Sequence, residues 1–228
     1  DEGQVAQRLA IILGTSRYAT DLLEREPLGV QLLGESLEPL TAETVLAEMQ
    51  ALAARHSDPE DAVRAVRAVR RRELLRIAAG ELVADTDVES VGLGLTRLTD
   101  ATLQATLDIA TAAVRAQRGL AAAPTRIAVV AMGRYGGFEL SYGSDADVMF
   151  VHEPNDGVEP LAATSFAQAV IGEVRRLLSL PATDPPLEVD ADLRPEGKNG
   201  PIVRTVASYA AYYARWSQVW EFQALLRA

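Results

Sequence analysis

The sequence predicts an α+β protein: a helical N-terminal half followed by a small mixed β-sheet with packed helices. Three observations carry this expectation. Apolar residues recur at helical spacing through most of residues 1–120; the period then changes to short β-branched runs; and a strict apolar–polar alternation follows at 187–194. The alanine-rich link Gly119 to Pro124 is the expected boundary, giving a helical region over 1–120 and a second region over 121–228.

Val5, Leu9, Ile12 and Leu13 mark the first helical stripe, and Val45, Met49 and Leu52 another. Asp58-Pro59-Glu60-Asp61 is a helix start, with an N-cap aspartate, proline at the first position and acids at the positive end of the dipole. That helix should reach about Val83. Its basic stretch, Arg67 to Arg76, is expected to be a solvated face packed by arginine stems rather than an anion site. Asp85-Thr86-Asp87 then caps a second long helix, about Val88 to Gln117.

Beyond the link, Ile127 to Met132 is fully apolar and reads as a buried strand. A glycine loop and a second strand through Asp147 to Val151 follow. Glu159-Pro160 opens an amphipathic helix ending near Leu180-Pro181. Residues 187–194 read as a half-buried strand, with Glu188, Asp190, Asp192 and Arg194 on its polar face. After the turn-rich Pro195–Pro201, two helical pieces run from Thr205 and carry Tyr209, Tyr212, Tyr213, Trp216, Trp220 and Phe222, expected to pack.

A net charge of −10 over 228 residues disfavours nucleic acid as the main partner, because phosphate backbones demand clustered Lys and Arg. Without cysteine there is no disulfide, thiolate nucleophile or Cys-ligated zinc, and His56 and His152 are too few for a histidine-based metal site. No leader and no apolar run near ~18 residues occurs, so a cytoplasmic chain that engages no membrane is expected. The chain begins and ends abruptly, with Leu225-Leu226-Arg227-Ala228 still inside a helical pattern, as expected of a piece of a longer protein.

The chemistry concentrates in the run Met132 to Phe150. Asp145 and Asp147, spaced i, i+2 at a strand start, point their carboxylates to one face. Asp190 lies in the next strand, after one crossover helix, where it can converge with them on Mg²⁺. Gly136 and Gly137 can adopt positive φ and clear space for a phosphate, Ser144 can donate to a phosphate oxygen, and Arg134 can balance its charge. For Ser144 and Arg134 a plain turn-forming, exposed role stays open. Glu188 and Asp192 share the face of Asp190, with pairing of Asp192 to Arg194 the simpler account. His152 points away from the acids, as a core or rim residue. Asp85 and Asp87 repeat the spacing without a glycine loop or strand, so they read as caps. Together these residues describe a metal-dependent nucleotidyl-transfer site, against the plain alternative of a solvated acidic edge.

Three blocks carry a family resemblance: Gly133-Arg134-Tyr135-Gly136-Gly137-x-Glu139-Leu140-x-Tyr142-Gly143-Ser144-Asp145-x-Asp147, Val189-Asp190-x-x-Leu193-Arg194-Pro195-x-Gly197, and Trp220-Glu221-x-Gln223-Ala224-Leu225. In that order the chain resembles bacterial glutamine synthetase adenylyltransferase, and the helical first half resembles the region preceding its catalytic module. The resemblance implies a nucleotidyltransferase of the DNA-polymerase-β superfamily, with Asp145, Asp147 and Asp190 as metal-binding acids and Gly136-Gly137 as the nucleotide loop. Asp192 and Arg194 are possible additions. It implies transfer of AMP from ATP, with Mg²⁺, to a tyrosine of glutamine synthetase in the control of nitrogen metabolism. The nitrogen-regulatory PII protein is the implied partner of the full-length enzyme. The wording looks more like the adenylylating module; the homologous adenylyl-removing module, which releases ADP by phosphorolysis, is the alternative. Two readings from other classes stay beside these: a non-catalytic protein-binding scaffold, and a small-molecule or RNA nucleotidyltransferase. Arg134 stands where many relatives have lysine, and Asp192 where many have an uncharged or basic residue.

Overall fold

The computed structural model describes residues 2–228, which divide into two units. The first holds the chain up to Ala105 with the segments Phe138–Gly143 and Pro181–Pro186; the second holds Thr106–Gly137, Ser144–Leu180 and Leu187–Ala228.

Helices build the first unit: α1 (Glu2–Thr15), α2 (Arg17–Arg25), α3 (Ala42–Ala53), α4 (Pro59–Val83) and the first part of α5 (Val88–Gln117). Side-chain caps fix their starts. Ser16 accepts from the Ala19 amide, Thr41 from Thr44, and Asp58 Oδ1 from Glu60 and Asp61. Asp87 Oδ1 accepts from the Ser90 amide at 2.7 Å, so the Asp85–Asp87 pair is a helix entry. α4 packs against α1, α2 and α3. Ile12, Leu22, Leu33, Met49, Leu74 and Leu75 are among the largest fully buried side chains there.

The arginine stretch on α4 departs from expectation. Arg67, Arg70, Glu73 and Arg76 are buried, not solvated. Glu73 accepts from both Arg72 and Arg76 at 2.9 Å, while Arg72 also binds Glu48 through two parallel bonds of 2.7 and 2.6 Å. Arg71 pairs with Glu26 at 2.8 Å and with Asp184. Arg70 donates to the Pro185 carbonyl at 2.7 Å, and Arg76 to that of Ser36 at 2.6 Å. With neighbours on every side, α4 buries its charges by pairing them with acids and loop carbonyls.

The second unit is a mixed four-stranded sheet with helices: β1 (Thr125–Ala131), the single turn α6 (Gly133–Gly136), β2 (Ala146–Pro154), α7 (Pro160–Leu178), β3 (Val189–Asp190), β4 (Val203–Thr205), α8 (Val206–Arg215) and α9 (Val219–Ala224). β2 is central. It pairs antiparallel with β1 from Ala131↔Val148 to Thr125↔Pro154, and parallel with both β3 and β4. Period-2 geometry sorts its side chains. Val148, Phe150 and His152 are buried on one face, where His152 meets Thr164 of α7. Met149 and Val151 pack on the other, in a cluster with Tyr209 and Tyr213 of α8 and Ala224 of α9.

Three strand and helix expectations need correction. β1 is a half-exposed edge strand rather than a buried one. The alternation at 187–194 yields only two residues of strand, because the Asp192 amide turns back onto Asp190 Oδ1 at 2.7 Å. Of the C-terminal aromatics Tyr209 is buried, whereas Trp216, Trp220 and Phe222 are exposed. Among the described residues, no helix is long and apolar enough to cross a membrane.

Candidate active site

The site forms where the β1–β2 ladder ends. Beyond the Ala131↔Val148 pair, the Met132 amide donates to the Asp147 carbonyl at 2.8 Å, and the chain then turns at Gly133. Gly133 has φ +55°, and a Cβ there would lie 2.5 Å from Asp147 Oδ2. Glycine is favoured there by its backbone conformation, and the Asp147 carboxylate occupies the space a Cβ would take.

Asp145 immediately precedes β2 and Asp147 is its second residue, so both side chains project to one face. The parallel register Asp147↔Asp190 brings the third acid alongside. One carboxylate oxygen from each of the three lies within 4.8 Å of the others, and all three residues are half-buried. Burial pushes the Asp147 carboxyl above its ordinary range; the charges of Asp145 and Asp190 act in the same sense, and Arg134 opposes them. Hard oxygen donors crowded at this distance, with like charges facing one another, fit a divalent cation such as Mg²⁺. The acidic triad is thus compatible with the metal site of a nucleotidyltransferase.

A cleft of about 520 Å³ reaches Asp145 and Asp190 and continues between Glu188, Arg175, Arg194 and Lys198. Asp192 does not join the triad. It pairs with Arg194 at 3.4 Å and Lys198 at 3.3 Å. Arg194 is buried and spends its donors on the carbonyls of Ala191, Lys198 and Gly200, bracing the turn after β3. Ser144 is half-buried next to Asp145, and Arg134 is exposed on α6. The Gly136 and Gly137 amides donate to Met132 and Gly133 carbonyls at 2.8 and 3.0 Å. Neither has positive φ; among the turn's glycines that role falls to Gly133. A Cβ on Gly136 would meet the carbonyls of Ala131 and Arg227, so its need for glycine is one of packing. His152 is fully buried, with its Nδ1 3.1 Å from the Thr125 hydroxyl, on the face away from the acids.

Gly133 and Glu221 stand within the resembling blocks but were given no role from sequence. Position offers a signal for each: Gly133 follows the apolar strand directly, and Glu221 is the fourth residue of a Gln218-x-x-Glu221 capping pattern.

Residues 6–228 match the family described as Glutamate-ammonia ligase adenylyltransferase. The chain belongs to this family. A relative from Streptomyces avermitilis, named bifunctional glutamine synthetase adenylyltransferase/adenylyl-removing enzyme, is 51% identical over 247 residues, covering 100% of this chain and 24% of the relative. Family members of the same name from Mycolicibacterium smegmatis and Mycobacterium tuberculosis are 50% and 48% identical over 233 residues, covering 100% of this chain and 23% of theirs. The chain thus spans about a quarter of the length of these relatives. All three motif blocks quoted above lie within the matched range.

Proposed function

We propose that the second unit transfers AMP from ATP to a tyrosine hydroxyl of glutamine synthetase. The convergence of Asp145, Asp147 and Asp190 from two parallel strands within 4.8 Å carries this reading, and the relatives' names, which speak of adenylyl transfer and glutamine synthetase, support it. Asp145, Asp147 and Asp190 would hold Mg²⁺. Bound there, Mg²⁺ lowers the pKa of an attacking hydroxyl and neutralises charge on the phosphates. The Asp192 amide orients Asp190 through Oδ1, leaving Oδ2 to take the tyrosine proton as the tyrosyl oxygen bonds to the α-phosphorus and pyrophosphate leaves. Ser144 and Arg134 bind the phosphates, bordered by the turn holding Gly136 and Gly137, which packs against the Arg227 backbone. This chemistry belongs in the cytoplasm, beside ATP and its target.

The relatives' names pair this activity with adenylyl removal, which on the same site would be attack by orthophosphate, releasing ADP. Incubation with α-labelled ATP, Mg²⁺ and unmodified glutamine synthetase tests the proposal. Covalent label on the synthetase, lost in Asp145→Asn and Asp147→Asn, is the expected result. ADP released from modified synthetase and phosphate, with no forward labelling, would assign the chain to removal instead. Neither product would overturn the reading.

A further inference from the structure

The block around Trp220-Glu221 holds a feature that the proposed chemistry leaves unused. Glu221 is 1% exposed, yet among the described residues no cation pairs with it. Three neutral donors satisfy it instead. Oε2 accepts from the Gln218 amide at 2.6 Å, which closes the capping box of α9. Oε1 accepts from the Tyr212 hydroxyl at 3.0 Å and from the Glu196 amide at 3.1 Å.

Capping α9 needs only the first of these bonds. The second oxygen is aimed at the turn that follows Asp190. Glu196 is a non-glycine residue at φ +66°, a left-handed conformation that persists only where its surroundings hold it. Its amide, tied to Glu221, sits inside the segment that Arg194 braces, next to Lys198. Lys198, Arg194 and Asp190 line the same cleft as Asp145. A continuous chain of contacts therefore runs from α9 through Glu196 to the wall of the site.

We infer that Glu221 is a positioning residue for the reaction: it locks the Glu196–Gly200 turn and thereby fixes the cleft wall beside the third aspartate. This rests on reading the triad as the metal and nucleotide site. The turn's conformation does not depend on that reading and can be measured separately.

The experiment compares wild type with Glu221→Ala, Glu221→Gln and Tyr212→Phe. Thr205→Ala, which removes the N-cap of α8, serves as a structural control. Hydrogen exchange is followed at residues 196–200, thermal unfolding by calorimetry, and MgATP affinity by titration calorimetry. Loss of hydrogen bonds to a buried carboxylate should speed exchange at 196–200 by about tenfold or more in Glu221→Ala. MgATP affinity should fall several-fold in the same variant. Glu221→Gln, which keeps an acceptor oxygen, should recover part of both. Thr205→Ala should lower Tm while leaving exchange at 196–200 and MgATP affinity as in wild type. If Glu221→Ala does not fold, Glu221→Gln and Tyr212→Phe decide through the same two readouts. Wild-type exchange and affinity in every folded Glu221 and Tyr212 variant would overturn the inference. Equal losses in Thr205→Ala would overturn it too, by reducing Glu221 to a general stabiliser. A wild-type protein that binds no MgATP would sink the reading of the triad, and the exchange data would still judge the turn.

Discussion

Replacing Asp147 by asparagine should stabilise the metal-free protein, the opposite of what most substitutions on a central strand do. Asp147 faces Asp145 and Asp190 with carboxylate oxygens no more than 4.8 Å apart. Two unit charges at that distance repel by about 0.9 kcal/mol at the permittivity of water and about 3.5 kcal/mol at an effective value of ~20. These residues are half-buried, so each pair falls between those limits and is screened by salt. After that discount, removing both repulsions is worth about 2 kcal/mol. At a few degrees per kcal/mol, the transition of the second unit should move up by about 4–8 °C. Calorimetry in low-salt buffer with EDTA reads this directly. Raising KCl to molar levels should shrink the gain, and Mg²⁺ should stabilise wild type more than Asp147→Asn. An unchanged or lowered Tm in EDTA would refute the argument, because the carboxylate would then be engaged in attraction rather than repulsion.

Further expectations follow from other parts of the chain. Glu73→Ala removes the buried acid of Arg76 and leaves its guanidinium only the exposed Glu35 at 3.9 Å and the Ser36 carbonyl, so urea unfolding of the first unit should show a loss of about 3 kcal/mol. Gly133→Ala combines a left-handed φ with a Cβ 2.5 Å from Asp147 Oδ2; a cost of about 1–3 kcal/mol is expected, with weakened Mg²⁺ binding seen by titration calorimetry. Burial holds His152 below its usual 6.5. Its contribution is complete above pH 6.5 and is lost as pH falls from there towards the folded-state value, since the unfolded chain takes the proton first. Between pH 7 and 5, wild type should therefore lose more stability in urea titrations than His152→Gln does; equal losses would remove His152 from the account.

Local signals made much of this fold readable. The cap at Asp58-Pro59 and the break at Asp85–Asp87 placed α4 and α5, because capping is decided by residues within one turn. The acids were readable for a similar reason: i, i+2 spacing needs only a strand to become a shared face. What misled were features settled by distant partners. The Arg67–Arg76 stretch reads as a solvent face until Glu48, Glu26 and Asp184 arrive from 24, 45 and 113 residues away. The alternation at 187–194 has the period of a strand, yet the Asp190 side chain captures the Asp192 amide and turns the chain. Gly133 shows a third kind of miss. Which glycine of a cluster takes positive φ depends on where the strand ladder stops, and that is set by pairing with β2.

The convergence of three carboxylates from β2 and β3 on one divalent cation site is tested most directly by Mn²⁺ binding. The free ion can be followed by electron paramagnetic resonance in wild type and in Asp145→Asn, Asp147→Asn and Asp190→Asn. Each single variant should weaken binding by about tenfold or more, as expected when one charged ligand of a shared site is lost. Asp190→Asn binding Mn²⁺ as tightly as wild type would contradict the account, since the two strands would then not be holding a common ion.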